Sequence, residues 1–287
     1  QKLFATFATL RGGKPVLDVV LKEFRDSDFD LDSADKSAPG RSKLAEALEL
    51  RDVSSAYPGS ERTAVEKLNM VIPARSTVGI VGGTGAGKTT AIDLILGLLE
   101  PQTGQILVDG VALDASVRPR WQRALGYVPQ TIFLTGDSVA SNIAFGVPRE
   151  EIDMDRVVSA ARMAALHDFV VSELPQGYET PIGERGVRLS GGQRQRIGIA
   201  RALYFDPDLL IFDEATSALD NITERAVMEA IERLGGEKTI IMIAHRLSTV
   251  KNCDRIFLLE KGRVEAVGTF DELTETNLTF KEMARHG

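Results

Sequence analysis

The sequence predicts an α/β fold arranged around a phosphate-binding turn, and three observations carry that prediction. The apolar run Val78-Gly79-Ile80-Val81 enters the glycine-rich segment Gly82-Gly83-Thr84-Gly85-Ala86-Gly87-Lys88-Thr89, and the periodic stretch Thr90-Ala91-Ile92-Asp93-Leu94-Ile95-Leu96 leaves it. Strand, glycine turn and helix in that order give the pattern G-x-x-x-x-G-K-[ST] the context a phosphate site needs. A second apolar strand, Leu209-Leu210-Ile211-Phe212, ends in the paired acids Asp213 and Glu214, and a third, Thr239 to Ala244, ends at His245.

The residue types suit that chemistry. Glycines let successive N–H groups point inward, and the helix that starts there adds the positive end of its dipole. Nucleotide contacts are expected from Gly82, Thr84, Gly85, Ala86, Gly87, Lys88, Thr89 and Thr90, with Lys88 reaching the β- and γ-phosphates and the Thr89 hydroxyl ligating Mg²⁺. Paired acids at the C-terminal end of a strand repel each other unless a cation or substrate uses them. The first, Asp213, is expected to hold the Mg²⁺ shell and the second, Glu214, to face the attacking water.

Composition narrows the alternatives. The 287 residues with 43% hydrophobic content allow one large core, or one domain with an appendage. A net charge of −7 offers no basic field for a nucleic-acid backbone, so no nucleic-acid partner is expected. The single cysteine, Cys253, has no disulfide partner and fits a reducing compartment. No apolar run approaches the ~20 residues that span a bilayer, so the chain as given reads as soluble. It begins with Gln1 rather than Met and reads as a fragment of something longer.

Along the chain, Lys2 to Phe24 has helical spacing broken by Gly12-Gly13 and Pro15, and Arg25 to Arg41 is an acidic linker. Its alternating aspartates lack the Gly and Glu of a calcium loop, because counting from Asp26 those places hold Leu31 and Ser37. Leu48 to Ala56 and Ala64 to Ile72 alternate apolar and polar residues around Pro58-Gly59-Ser60, with Tyr57 between them. Hairpins are expected at Asp109-Gly110 and Lys261-Gly262. After Gln130 the pattern becomes helical, with Asp155 to Ala165 and Leu166 to Leu174 the best segments. A long helix then runs from Gln193 to Tyr204 with Ser190 at or near its N-cap.

Taken in order, the phosphate loop, Leu189-Ser190-Gly191-Gly192-Gln193, Asp213-Glu214, Ser217-Ala218-Leu219-Asp220 and His245 resemble the nucleotide-binding domain of an ATP-binding cassette (ABC) transporter over about Leu48 to Glu282. The resemblance implies a P-loop NTPase core with a mostly parallel sheet, an antiparallel β subdomain and an inserted α-helical subdomain at about 130–187. The domain would span 48–287, and 1–47 would be an extension and linker at the end of a missing transmembrane domain. The implied cofactors are ATP and Mg²⁺. Tyr57 matches the family's adenine-stacking aromatic, Gln130 the glutamine that meets Mg²⁺ and water, and His245 the histidine at the γ-phosphate. Ser190, Gly191, Gly192 and Gln193 would cap the γ-phosphate held by a second nucleotide-binding domain, with Asp220 in the segment that crosses the interface. Two copies would therefore enclose two ATP molecules head to tail. Gly183-Glu184-Arg185-Gly186 resembles the exporter-type segment that meets the membrane domain, which implies an exporter or flippase motor at the cytoplasmic face of the membrane.

Three alternatives differ in what they require. A soluble ABC ATPase acting on DNA or the ribosome is one; SMC-type chains of that class set long coiled coils between loop and signature, whereas Ser190 lies 102 positions after Lys88 with no sustained heptads between. A stand-alone importer subunit would start a few residues before Leu48. A non-hydrolysing sensor commonly lacks Glu214 or His245, and both are present.

Overall fold

The computed structural model describes residues 41–57, 59–60, 62–183, 186, 189–214, 224–225, 227–229, 231, 236–244 and 246–286; the helices and linker expected within 1–40 lie outside them. From its start the described chain forms β1 (Ala47–Ser55), β2 (Val65–Pro73), β3 (Thr77–Val81), α1 (Lys88–Ile95), β4 (Thr103–Val108), β5 (Val111–Ala112), α2 (Arg118–Gln122) and β6 (Leu125–Val128). There follow α3 (Val139–Ile143), α4 (Met154–Met163), α5 (His167–Glu173) and α6 (Gly191–Tyr204). Strands β7 (Leu209–Asp213), β8 (Thr239–Ile243), β9 (Arg255–Glu260) and β10 (Arg263–Gly268) and helices α7 (Phe270–Thr276) and α8 (Leu278–His286) complete it.

Alternation in the first two strands produces a half-buried antiparallel sheet of order β2-β1-β4-β5. Leu48 faces Ile72 and Leu50 faces Met70 across β1 and β2, and all four are buried. The hairpin expected at Asp109-Gly110 joins β4 to β5, with both residues at positive φ (49° and 76°) as a type I′ turn requires. The Asp109 carboxylate also accepts bonds from the backbone N–H groups of Ala45, Glu46 and Ala47, fixing where β1 begins.

Strands that are apolar at every position need cover on both faces. They lie in a six-stranded sheet of order β10-β9-β3-β8-β7-β6, parallel except for β10. Leu210, Phe212, Ile240 and Met242 enter a core shared with the helices, while Leu209, Ile211, Ile241 and Ile243 enter a core shared with the antiparallel sheet. The sheet thus separates two hydrophobic layers and carries the ends of β3, β6, β7 and β8 to one edge.

The helical pattern expected after Gln130 starts later than the sequence indicates. Ser138 caps α3, and the preceding segment is held by the fully buried Asn142, whose amide accepts from Thr135 N–H and donates to the Thr135 and Ser138 carbonyls. Those backbone groups are satisfied by a side chain instead of by a helix ladder. Arg201 of α6 locks this arrangement: Nε donates to the Asn142 carbonyl at 2.8 Å and Nη1 to the Phe133 carbonyl at 2.9 Å, and the guanidinium lies 4.6 Å from the Phe145 ring centre. Burial pushes the Arg201 pKa below the usual guanidinium value. Because charge-assisted bonds in such a setting are worth about 1.5–3 kcal/mol and their loss strands the partly buried Asn142 carbonyl, Arg201→Ala is expected to lower unfolding free energy by about 2–3 kcal/mol in urea denaturation. A loss under about 0.5 kcal/mol, typical of surface changes, would remove Arg201 from this role.

Candidate active site

The phosphate loop depends on backbone shapes that only glycine tolerates well. At Gly82, with φ of 152°, an added Cβ would come within 2.3 Å of the Leu259 carbonyl oxygen. At Gly87, the residue before α1 with φ of 100°, it would press on Ala64 and Val65 of the antiparallel layer at 3.0–3.1 Å. The turn therefore closes against both neighbouring elements and delivers Lys88 as the first residue of α1.

Lys88 is buried and folds back over the loop, its Nζ donating to the carbonyls of Gly82 at 2.7 Å and Gly83 at 3.0 Å. Burial lowers its pKa, opposed by the carboxylates of Glu214 and Asp213. Thr89 is exposed beside it and Thr90 is buried. An open cavity of about 460 Å³ lies over this loop, lined by Tyr57, Gly85, Ala86, Gly87, Lys88, Thr89 and Thr90 together with Ser60, Arg62, Thr63, Ala64 and Lys261. The Tyr57 hydroxyl donates to Asp93 Oδ2 at 2.7 Å and accepts from Thr90 Oγ1 at 3.4 Å. Burial is the main cause raising its phenol pKa.

At the neighbouring strand ends, Asp213 closes β7 and Glu214 follows at a φ of 51°, its N–H bonded to the Ile243 carbonyl of β8 at 3.1 Å. A non-glycine residue in the left-handed region is a strained conformation of the kind that gathers at functional sites. Gln130 donates from Nε2 to Glu214 Oε2 at 2.8 Å. Tyr127 of β6 donates to Asp213 Oδ2 at 3.2 Å. Burial pushes the Asp213 pKa up, the Tyr127 bond and Lys88 pull it down, and the Glu214 and Asp93 carboxylates raise it.

Ser190, Gly191, Gly192 and Gln193 form a complete capping box at the start of α6: Ser190 Oγ accepts from Gln193 N–H at 3.2 Å and Ser190 N–H donates to Gln193 Oε1 at 2.8 Å. None of these four lines the Lys88 cavity. Asp220 and His245, like Glu184 and Arg185, lie outside the described residues. The structure thus gathers Tyr57 with the phosphate loop, and Gln130 with Glu214, while the Ser190 helix start stands apart. Sequence reasoning missed the contributions of Asp93, Tyr127, Arg62 and Lys261. The last sits on the expected hairpin tip and could have been found there, whereas the other three carry no local pattern.

A six-stranded α/β sheet with a lysine-bearing glycine loop after a central strand and two acids at the end of a nearby one defines the phosphate-loop NTPase fold. The chain belongs to the ABC transporter family, whose family model matches residues 65–217. It is similar to an ATP-dependent lipid A-core flippase of Cupriavidus metallidurans, 46% identical over 235 residues, which is 82% of this chain and 39% of that protein. It is also similar to ABC transporter B family member 15 of Arabidopsis thaliana, 42% identical over 247 residues, 85% of this chain and 20% of the other. A solved bacterial Atm1-family ABC exporter with ATP bound superposes with a TM-score of 0.84 at 37% identity, covering 98% of this chain and 48% of the exporter chain. The chain thus spans less than half the length of each of these relatives.

The lowered Lys88 pKa has a consequence for stability. An ammonium disfavoured in the fold costs stability at every pH below its folded pKa, and the cost fades as pH rises from there towards the ordinary lysine value near 10.4. Stability of the parent chain is therefore expected to rise relative to that of Lys88→Met as pH climbs from the folded-state pKa towards the ordinary lysine value, whatever offset the loss of the two carbonyl bonds sets. Calorimetry in which the Tm difference between parent and variant does not change over that rise in pH would contradict this.

Proposed function

We propose that this chain is the ATP-hydrolysing motor domain of an ABC exporter or flippase, working as a head-to-tail pair with two composite ATP sites. The observation that carries the reading is the separation, within one chain, of a prepared helix start at Ser190 from the cavity at Lys88. The first-turn N–H groups of Gly191 and Gly192 have no intrahelical acceptor, and the positive end of the 14-residue α6 reinforces them. Such a start attracts an anion, and a triphosphate seated on a second copy's phosphate loop supplies one.

In this reading the water attacks the γ-phosphorus, the β–γ bond breaks, and ADP and phosphate leave. Glu214 orients the water and accepts its proton, Lys88 offsets charge on the β- and γ-oxygens, and Gln130 holds Glu214 in place. His245 is assigned to the γ-phosphate and Asp220 to the pair interface on the family resemblance. Tyr57 offers its ring to adenine, and Gly82 through Thr90 cradle the phosphates. Thr89, Gln130 and Asp213 provide the hard oxygen donors that Mg²⁺ prefers. With the Gln130 amide N–H₂ turned to Glu214, its carbonyl oxygen is left for the cation. When bound, Mg²⁺ neutralises charge on the phosphate oxygens.

For the membrane side, no helix among the described residues is long and apolar enough to cross a bilayer. A second open cavity of about 460 Å³ is lined by residues including Thr135, Ser138, Arg149, Pro181 and the 46%-exposed Phe145. Exposed aromatics beside a recess are the usual anchors of a protein interface. This supports docking of a cytoplasmic loop from a transmembrane domain, with the motor at the cytoplasmic face.

Glu214→Gln is expected to bind ATP but to lose at least about 100-fold in turnover, the scale of general-base catalysis, and to accumulate an ATP-bound dimer in size-exclusion chromatography. Near-normal turnover would take the role from Glu214. For the parent chain, specific ATPase activity should climb with protein concentration until the dimer saturates. A rate per molecule that is flat from nanomolar to high micromolar, with monomer alone in light scattering, would rule out the composite site.

A further inference from the structure

Tyr57, 41% exposed on a loop, lines the same cavity as the phosphate loop, and its hydroxyl is held by two side chains of a single helix. Thr90 and Asp93 are three residues apart on α1 and so project from one face. The Asp93 bond, at 2.7 Å, has the length of a charge-assisted one, while the 3.4 Å Thr90 contact is at the margin of a hydrogen bond. The same helix presents Lys88 and Thr89 at its first turn. A carboxylate on the helix that receives a polyanion opposes binding on charge grounds alone, so its presence there calls for a compensating task.

We propose that Asp93 is a positioning residue for nucleotide: it clamps the Tyr57 hydroxyl so that the aromatic side chain is already fixed in the cavity it shares with the phosphate loop before a purine triphosphate arrives. The clamp rests on the reading of Tyr57 as the base-stacking ring. Ring and phosphate contacts then belong to one rigid element, and binding no longer has to immobilise a side chain on a loop. Ordering such a side chain costs about three- to tenfold in affinity, and that factor is what the clamp contributes.

Charge and clamp predict opposite signs, which makes the proposal testable on the 287-residue chain. Titrations would use ATP and, as a probe without a base, inorganic tripolyphosphate, each with Mg²⁺. If the clamp holds, Asp93→Asn and Tyr57→Phe each weaken ATP binding about three- to tenfold. The double variant is no weaker than either single one, the loss falls on KM and not on kcat, and tripolyphosphate binds Asp93→Asn as well as or better than the parent chain. ATP binding that tightens in Asp93→Asn, or losses that add in the double variant, would overturn it. Tyr57→Ala separates the two layers of the inference. If it weakens ATP while Tyr57→Phe and Asp93→Asn do not, the stack stands and the clamp falls. If it leaves ATP affinity unchanged, the stacking reading itself falls and the clamp with it.

Discussion

The close approach of the Gly82 backbone to the Leu259 carbonyl is the constraint from which the site follows. With a would-be Cβ at 2.3 Å, only glycine lets the chain leave β3 and turn across the end of the adjacent β9. Gly87 imposes the same condition against Ala64 and Val65, so the loop is pinned between the parallel sheet and the antiparallel layer. Two hydrophobic cores on opposite faces of the six-stranded sheet keep both neighbours in place. Packing far from any phosphate is what makes a backbone cradle rigid, and rigidity is what allows N–H groups and a helix end to replace a hydration shell.

The same rigidity concentrates charge beside the phosphate loop. A buried ammonium at Lys88 lies in the field of Asp213 and Glu214, and Asp213 feels burial together with two further carboxylates. Lys88 meets this by donating to two loop carbonyls, and Asp213 by accepting from Tyr127. These are partial remedies, since the lysine pKa remains lowered and the aspartate pKa remains raised. Oxygen donors beside the acids invite a hard cation, and the ammonium invites phosphate.

Much of this was legible in the sequence because it is written locally. The phosphate loop, the acids at the end of β7, the two positive-φ hairpins and the Ser190 cap all depend on residues within a few places of each other, where turn, strand and capping rules apply directly. The unread parts depend on distance along the chain. Tyr57 meets Asp93 36 positions away, Arg201 meets Asn142 59 away, and Tyr127 meets Asp213 86 away. No periodicity encodes such pairs. The late start of α3 belongs with them, because Asn142 looks like an ordinary helical residue until the fold shows it satisfying the Thr135 backbone.

One helix ties these levels together. Its first turn is the capped Ser190 start, its middle buries Ile197 and Ile199 in the helical core, and near its end Arg201 holds the segment that carries Phe133 and Phe145. A displacement of the anion-attracting end therefore cannot leave the aromatic recess unmoved without breaking charge-assisted bonds or opening the core. In the pair proposed above, closing Ser190 onto a partner's γ-phosphate and shifting the Phe145 surface are two ends of one rigid-body movement. In that proposal a 14-residue rod links chemistry at a phosphate to motion at a docking surface, without any need for the intervening sheet to deform.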